Sequence, residues 1–379
     1  MKPILDYLQT REKEMLGLLE RLVNIDSGSA FKKGIDACGE IISRELEKLG
    51  FLVSIVPEAE AGNHLRAERA GEGVERLFLS AHLDTVFPEG TAAAKPFRIE
   101  NGLAYGPGVG DIKGGVVEML FALEALRRLS IPTPPIMVFL TGDEETGSVR
   151  GRPHIEEIAR QCSRVLVMEP SSAPGALAVR RWGLGSFTMT IHGKAAHVLN
   201  PDFTGINACH ELALKILALE ALSDPVKGVK VSVNLVSGGR SRQVTASEAR
   251  AVIDARVRNA LHIPGIEAAI NLVAGTPIAP GVRIDLEGKF TRPPLEPNPE
   301  TEDLVRLATD AAERLGMQLE PIEEYGGSDG CFTAALGVAT LDGLGPLTWD
   351  MCGDNERIEV ASLVPRAALL AGIIAASIR

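Results

Sequence analysis

The sequence predicts an α/β protein with a second, α+β domain inserted into it. Three observations lead there. Short, wholly apolar segments separated by helical stretches occupy the N-terminal part. From about Gly175 the segments alternate polar and apolar residues instead. After Pro293-Pro294 the first style returns. The first domain is therefore discontinuous, residues 1–174 and 293–379, and the insertion covers 175–292.

Taken in order, Ile4, Leu8, Met15, Leu18, Leu19 and Leu22 fall at helical spacing, as do Ile41, Ile42, Leu46 and Leu49. Residues 1–50 thus read as two helices. Charged residues interrupt the apolar ones in MKPILDYLQTREKEMLGLLERLV, which is an amphipathic helix and not a signal-peptide core. Phe51–Val56, Leu77–Ser80, Ile136–Leu140 and Val165–Val167 are short apolar strands, and Gly115–Leu129 is a helix between two of them. Such strands belong to a sheet covered on both faces. In the insertion Ser186–Ile191, Val229–Val236 and Ala249–Arg256 alternate as half-exposed strands do, with helices at Gly205–Leu222 and Ile263–Leu272. Glu302–Leu315 is a helix and Val338–Leu341 a strand.

Composition narrows the function. The chain has 379 residues, 45% hydrophobic and 23% charged, with a formal net charge of −11. That length suits two domains at roughly 100–200 residues each. The acidic balance excludes nucleic acid or an anionic membrane as the expected partner, since both need a basic surface. No apolar run approaches the ~18–20 residues that span a bilayer. Five cysteines at scattered spacing form no disulfide framework, so a reducing, cytoplasmic setting is expected.

The chemistry sits in four polar clusters, three directly after an apolar strand. LFLSAHLDT carries His82 and Asp84, IMVFLTGDEETGS carries Asp143, Glu144 and Glu145, and VLVMEPSS carries Glu169. GPGVGDIKGG places Asp111 in a glycine-rich turn before a helix; it lacks the residue order of a phosphate-binding loop. Open α/β sheets bind ligands at the carboxyl ends of their strands, so these acids and one histidine converge on one edge. Neighbouring carboxylates raise each other's pKa, and a divalent cation relieves that repulsion. One histidine with several carboxylates suits Zn²⁺, with Mn²⁺ or Co²⁺ as alternatives, and a shared aspartate makes a two-metal hydrolytic centre. In an extended stretch Glu144 and Glu145 point to opposite sides, so one can ligate while the other holds water. His82 and Asp84, two apart, share a face, which lets Asp84 orient His82.

AHLDTV, GDIKGG, TGDEETGS, MEP and HGKAAH, in this order, resemble the M20 family of metallopeptidases and amidohydrolases, and within it the glutamate carboxypeptidase branch. The resemblance runs from about Asp26 to Pro365. It implies a zinc-hydrolase α/β/α sandwich with an inserted ferredoxin-like lid and dimerisation domain. It also implies two Zn²⁺ per chain, a small peptide or N-acyl amino acid as substrate, and a homodimer formed through the insertion. By position, His82 and Glu169 resemble ligands of the first metal, Asp111 the bridging aspartate and Glu145 the second-metal carboxylate. Glu144 resembles the general base and Asp84 the carboxylate that orients His82. His197 resembles the residue that reaches a neighbouring active site and polarises the scissile carbonyl. Arg292 stands where the family binds a substrate carboxylate, and GGSDG, with Gly327 and Ser328, matches a substrate-lining turn.

Two departures stand out. The family closes its second metal site with a histidine in an H-x-x-N-E stretch; here the stretch is CGDNE, Cys352 takes that position, and no histidine follows His262. A thiolate is a good zinc ligand, so the change favours zinc over manganese and brings sensitivity to oxidation. Gln243-Val244-Thr245-Ala246 replaces the family's Asn-Val-hydrophobic-Pro, leaving Gln243 as the amide that meets substrate. The expected function is hydrolysis of an amide bond next to a free amino-acid carboxylate, with C-terminal glutamate as the product. The rivals are an N-acyl-amino-acid deacylase of the acetylornithine or succinyl-diaminopimelate type, and a non-catalytic binding protein with an impaired second metal site.

Overall fold

The computed structural model describes residues 1–199, 201, 202 and 204–378. They divide into two compact units: Met1–Arg180, Leu295–Glu324 and the residues from Ser328 onward form one, and Arg181–Pro294 with Tyr325–Gly327 the other.

In the first unit the chain opens with α1 (Lys2–Thr10), α2 (Glu12–Val23) and α3 (Lys32–Lys48). The expectation of two helices is corrected to three. The first run breaks at Arg11 (φ −103°, ψ −1°), where the Thr10 hydroxyl bonds back to the Tyr7 carbonyl at 2.6 Å. Then come β1 (Leu52–Val56), β2 (His64–Arg69), β3 (Leu77–His82), α4 (Thr91–Ala94), β4 (Arg98–Glu100) and β5 (Leu103–Tyr105). A wide turn at Val109–Gly114 leads into α5 (Gly115–Arg128), followed by β6 (Ile136–Thr141), α6 (Arg152–Ala159), β7 (Arg164–Val167) and β8 (Ala176–Arg181). The second unit contains β9 (Gly183–His192), α7 (Ala208–Glu220), β10 (Val229–Gly238), β11 (Glu248–Val257), α8 (Ile263–Gly275) and β12 (Arg283–Arg292). The first unit resumes with α9 (Pro299–Glu313), β13 (Glu320–Glu324), α10 (Gly330–Ala335), β14 (Ala339–Leu341), β15 (Thr348–Trp349), β16 (Arg357–Glu359) and α11 (Val360–Ala376).

The main sheet of the first unit has the order β1-β2-β6-β3-β7-β14. Strands β6, β3, β7 and β14 are parallel, and β2 and β1 join antiparallel at one edge. Alternation along the strands builds two cores. Leu77, Leu79, Ile136, Val138 and Leu140 face one way, into the cluster that contains α1, α2, α3, α5, α9 and α11 side chains. Phe78, Met137 and Phe139 face the other way, onto Ile155 and Ile158 of α6 and Phe332 of α10. Helices on both faces make a three-layer α/β/α sandwich. Only the inner strands fit the expectation of burial on both faces. In β1 Leu52 is 70% and Ile55 47% exposed, because an antiparallel edge strand is covered on one side. Strand β2, HLRAER, escapes sequence reading because its charged residues mask a strand buried at His64, Leu65 and Ala67.

In the second unit the order β10-β11-β9-β12 is antiparallel throughout, with βαββαβ connectivity. Phe187, Met189, Ile191, Ala251 and Ile253 pack with Leu212 of α7 and Ile270 of α8 into a separate core. This is the ferredoxin-like arrangement. β8 pairs with β13 in the first unit, so the compact insertion starts at Arg181 and not at 175.

Burial contrast predicts mutational cost. Phe139→Ala should lower stability by about 3–5 kcal/mol, whereas Leu52→Ala should stay within about 0.5 kcal/mol. Urea denaturation compares them, and equal costs would contradict the packing described.

Candidate metal centre

Three parallel strands deliver the marked residues to one sheet edge. β3 ends on His82, β6 runs into Gly142-Asp143-Glu144-Glu145, and β7 is followed by Glu169. Asp111 arrives from the turn before α5, where the Asp111–Ile112 peptide is cis. That helix begins hard against the chain leading to Glu169. A Cβ on Gly115 would stand 2.1 Å from the Met168 carbonyl oxygen, so only glycine admits the approach.

Asp111 lies at the centre. Its Oδ1 is 3.1 Å from His82 Nε2, which is also 3.6 Å from Glu169 Oε1. Its Oδ2 is 3.3 Å from Cys352 Sγ. One ligand atom each from His82, Asp111 and Glu145 lies within 4.8 Å of the others. His82, Asp111, Glu144 and Glu169 are buried, and Glu145 is half-buried.

Two local expectations are corrected. Strand β3 stops at His82, so strand alternation does not govern Asp84. The Asp84 carboxylate accepts the Glu144 and Glu145 backbone N–H groups at 3.0 and 3.1 Å and the Ser29 hydroxyl at 2.7 Å. His82 Nδ1 meets the Asp84 backbone carbonyl at 3.0 Å, closer than the carboxylate at 3.5 Å. Asp84 therefore holds the glutamate turn as well as the histidine. Glu144 and Glu145 are not extended either. Glu144–Thr146 is one tight helical turn, closed by Gly147 N–H on the Glu144 carbonyl at 2.8 Å with Gly147 at φ 97°. The rotation of that turn, not strand alternation, separates the two side chains.

The electrostatics match like charges brought together. Glu145 is pushed up to about 9, by burial first and then by the fields of Asp111, Glu144 and Asp84. Burial works against a charged His82. Its hydrogen bonds to Asp111 and Asp84 and the field of Glu144 outweigh burial and raise it well above its ordinary value. Cys352 is exposed as a residue, yet the crowding of protein around its sulfur, and then the fields of Asp111 and Glu145, raise its thiol.

The residues fit a divalent cation. Among the described residues Glu145 Oε1 is buried with no hydrogen-bond partner, an arrangement that costs free energy unless a cation or proton compensates it. The donors are imidazole nitrogen, carboxylate oxygen and thiol sulfur, the set that zinc takes. The two oxygens of Asp111 face different neighbours, His82 on one side and Cys352 on the other.

Three residues in the supporting structure escaped sequence reading. Glu356 Oε1 accepts the Gly110 and Asp111 N–H groups at 2.8 and 3.0 Å and so anchors the Asp111 turn. Its place in CGDNE was the available signal. Ser29 and the buried His64, whose Nδ1 accepts the Gly142 N–H at 2.9 Å, carried none.

The remaining expected residues belong mostly to the second unit. Arg292 is buried at the end of β12, and Gly327 packs against it: a Cβ there would be 2.8 Å from Arg292 Cδ. His197 is exposed, and its Nδ1 accepts the Leu199 N–H at 3.2 Å, so a neutral ring carries its proton on Nε2. Gln243 lies beside it, its carbonyl accepting the Val198 N–H at 3.0 Å. Ser328, in the first unit, is a correction. It is fully buried, and its hydroxyl donates to Asp342 and accepts the Gly330 N–H, so the side chain is committed internally.

The sequence profile of Peptidase family M20/M25/M40 matches residues 78–376. Carboxypeptidase G2 of Pseudomonas sp. (strain RS-16) is 28% identical over 358 residues, 93% of this chain and 86% of the relative. Succinyl-diaminopimelate desuccinylase of Ectopseudomonas mendocina is 30% identical over 353 residues, 86% of this chain and 89% of the relative. A tripeptidase from Staphylococcus aureus superimposes with a TM-score of 0.80 at 23% identity, covering 96% of this chain and 98% of its own. Among the described residues no helix is long and apolar enough to cross a membrane.

The raised groups predict a pH signature. A group whose pKa is higher folded than unfolded stabilises fully below the unfolded value and loses that contribution as pH rises through the folded one. For Glu145 the window runs from 4.5 to about 9, and His82 acts in the same sense above its ordinary 6.5. The Tm of chelator-treated protein should therefore fall as pH rises across this range, and saturating zinc should flatten the slope. Identical slopes with and without zinc would contradict the shared electrostatic site.

Proposed function

Because the chain belongs to peptidase family M20/M25/M40, whose members are metal-dependent hydrolases, we propose that it cleaves an amide bond beside a free amino-acid carboxylate, releasing a glutamate-like amino acid. The observation that carries this reading is Asp111, one oxygen toward His82 and the other toward Cys352, with Glu144 on the adjoining turn. His82, Asp111 and Glu169 would hold one zinc ion, and Asp111, Glu145 and Cys352 a second. Bound zinc supplies Lewis acidity that activates water and polarises the scissile carbonyl.

The chain's own groups do the rest. Glu144 takes a proton from the attacking water and returns it to the leaving amine nitrogen. Two N–H groups bonded to Asp84 hold Glu144 and Glu145 in register. His82 donates Nδ1–H to the Asp84 carbonyl and so keeps its Nε2 lone pair for a ligand's role. His197, with its proton on Nε2, donates to the oxyanion of the tetrahedral intermediate, acting across a subunit boundary in a homodimer. Arg292 presents a planar fork to the substrate carboxylate, with Gly327 leaving room beside it, and Gln243 contributes an amide.

Carboxypeptidase G2 and succinyl-diaminopimelate desuccinylase both match along most of the chain, so product analysis on pteroyl-, acetyl- and succinyl-amino acids chooses between carboxypeptidase and deacylase. Glu144→Ala should retain metal while turnover falls by about 10²–10⁴-fold; unchanged turnover would remove Glu144 as the base. Cys352→Ser should lower metal content toward one ion per chain, and Cys352→His should restore it. Two tightly held ions in Cys352→Ser would remove the thiolate from the ligand set.

A further inference from the structure

The glutamate turn is fastened from a second side, by a carboxylate that the hydrolytic scheme does not use. Thr141, the last residue of β6, donates its hydroxyl to Asp329 Oδ2 at 2.8 Å. Ser148, just past the turn, donates its hydroxyl to Asp329 Oδ1. All three residues are buried, Asp329 at 2% exposure. One carboxylate thus closes both ends of the segment that carries Asp143, Glu144 and Glu145.

A separate observation gives that closure a purpose. Ser148 adopts φ 52°, in the left-handed region that side chains other than asparagine, aspartate and histidine seldom occupy. It follows Gly147, also left-handed at φ 97°. Such backbone persists only where its surroundings over-determine it, and it clusters at functional sites. Here the surroundings are Asp329 on the hydroxyl, the Asp143 carbonyl on the Ser148 N–H at 2.8 Å, and the Arg152 N–H on the Ser148 carbonyl at 2.8 Å. The reversal of chain direction at Gly147-Ser148 gives the Glu144–Thr146 turn its exit.

We propose that Asp329 is a positioning residue: by receiving Thr141 and Ser148 at the two ends of the glutamate turn, it fixes where Glu144 stands over the metal cluster. Asp84 holds the turn by its amides and Asp329 by its flanks. Asp329 also opens α10, packed through Phe332 onto the sheet face that carries Phe78 and Phe139. The turn is thereby referred to the rigid core and not to a loop. Catalysis by a positioned base is steep in distance, and a displacement of about 1 Å costs on the order of 10²-fold.

This inference rests on the hydrolase reading for its kinetic arm, and a second readout keeps the two separable. In Asp329→Asn the amide replaces one acceptor by a donor. We expect kcat to fall about 10- to 100-fold on the N-acyl glutamate the wild type cleaves best, with KM within about twofold. Metal content should not change. Hydrogen exchange should quicken at the amides of Gly147, Ser148, Arg150 and Gly151 but not in β3. Ser148→Gly, free to adopt positive φ, should keep more activity than Ser148→Ala. A folded, metal-replete Asp329→Asn with wild-type kcat would overturn the proposal, as would a loss of kcat that only tracks lost metal. If Asp329→Asn does not fold, Ser148→Ala takes its place with the same expectations. If the wild type cleaves no amide, the hydrolase reading fails by itself, and unaltered exchange in the turn then overturns the proposal about Asp329.

Discussion

Repulsion among carboxylates around Asp111 is the constraint from which the site follows. Asp111, Glu144, Glu145 and Glu169 surround one histidine in a buried place, where the cost of each negative charge rises with every neighbour. Left alone, the cluster must take up protons, and the raised pKa values of Glu145 and His82 express that demand. A divalent cation meets it without protons, leaving a carboxylate free to act as a base at neutral pH.

The protein then spends further carboxylates on keeping the cluster in shape. Asp84 binds two amides of the glutamate turn, and Glu356 binds two amides of the Asp111 turn. Asp143 binds the Arg150 and Gly151 amides at 2.8 and 3.2 Å, and Asp329 takes two hydroxyls. Asp84, Asp143 and Asp329 each receive donors on both carboxylate oxygens, whereas Glu356 receives its two amides on Oε1 alone. These supporting acids fix the backbone on which His82, Asp111, Glu144 and Glu145 are carried.

Much of this was legible in the sequence. His82, Asp143–Glu145 and Glu169 each follow a short apolar strand, and strand ends of a parallel sheet must share an edge, so their convergence could be read from spacing alone. What stayed hidden depends on chain closure. The tight turn at Glu144 needs Gly147 at positive φ and an acceptor 60 residues away in Asp84, and neither leaves a periodic trace. Ser328 looked like a substrate contact within GGSDG, yet Asp342, fourteen residues on, draws its hydroxyl inward. The edge strand β1 and the charged β2 misled for a related reason: burial is set by which strand covers which, and composition reports that only for the inner strands.

The central claim is that cations sit on both sides of Asp111. Anomalous diffraction at the zinc absorption edge, on crystals of zinc-loaded protein, tests it most directly. The account predicts two peaks flanking the Asp111 carboxylate at bonding distances of about 2.0–2.3 Å. One peak should join His82 and Glu169, and the other Glu145 and Cys352. No peak within bonding distance of Asp111 would contradict it.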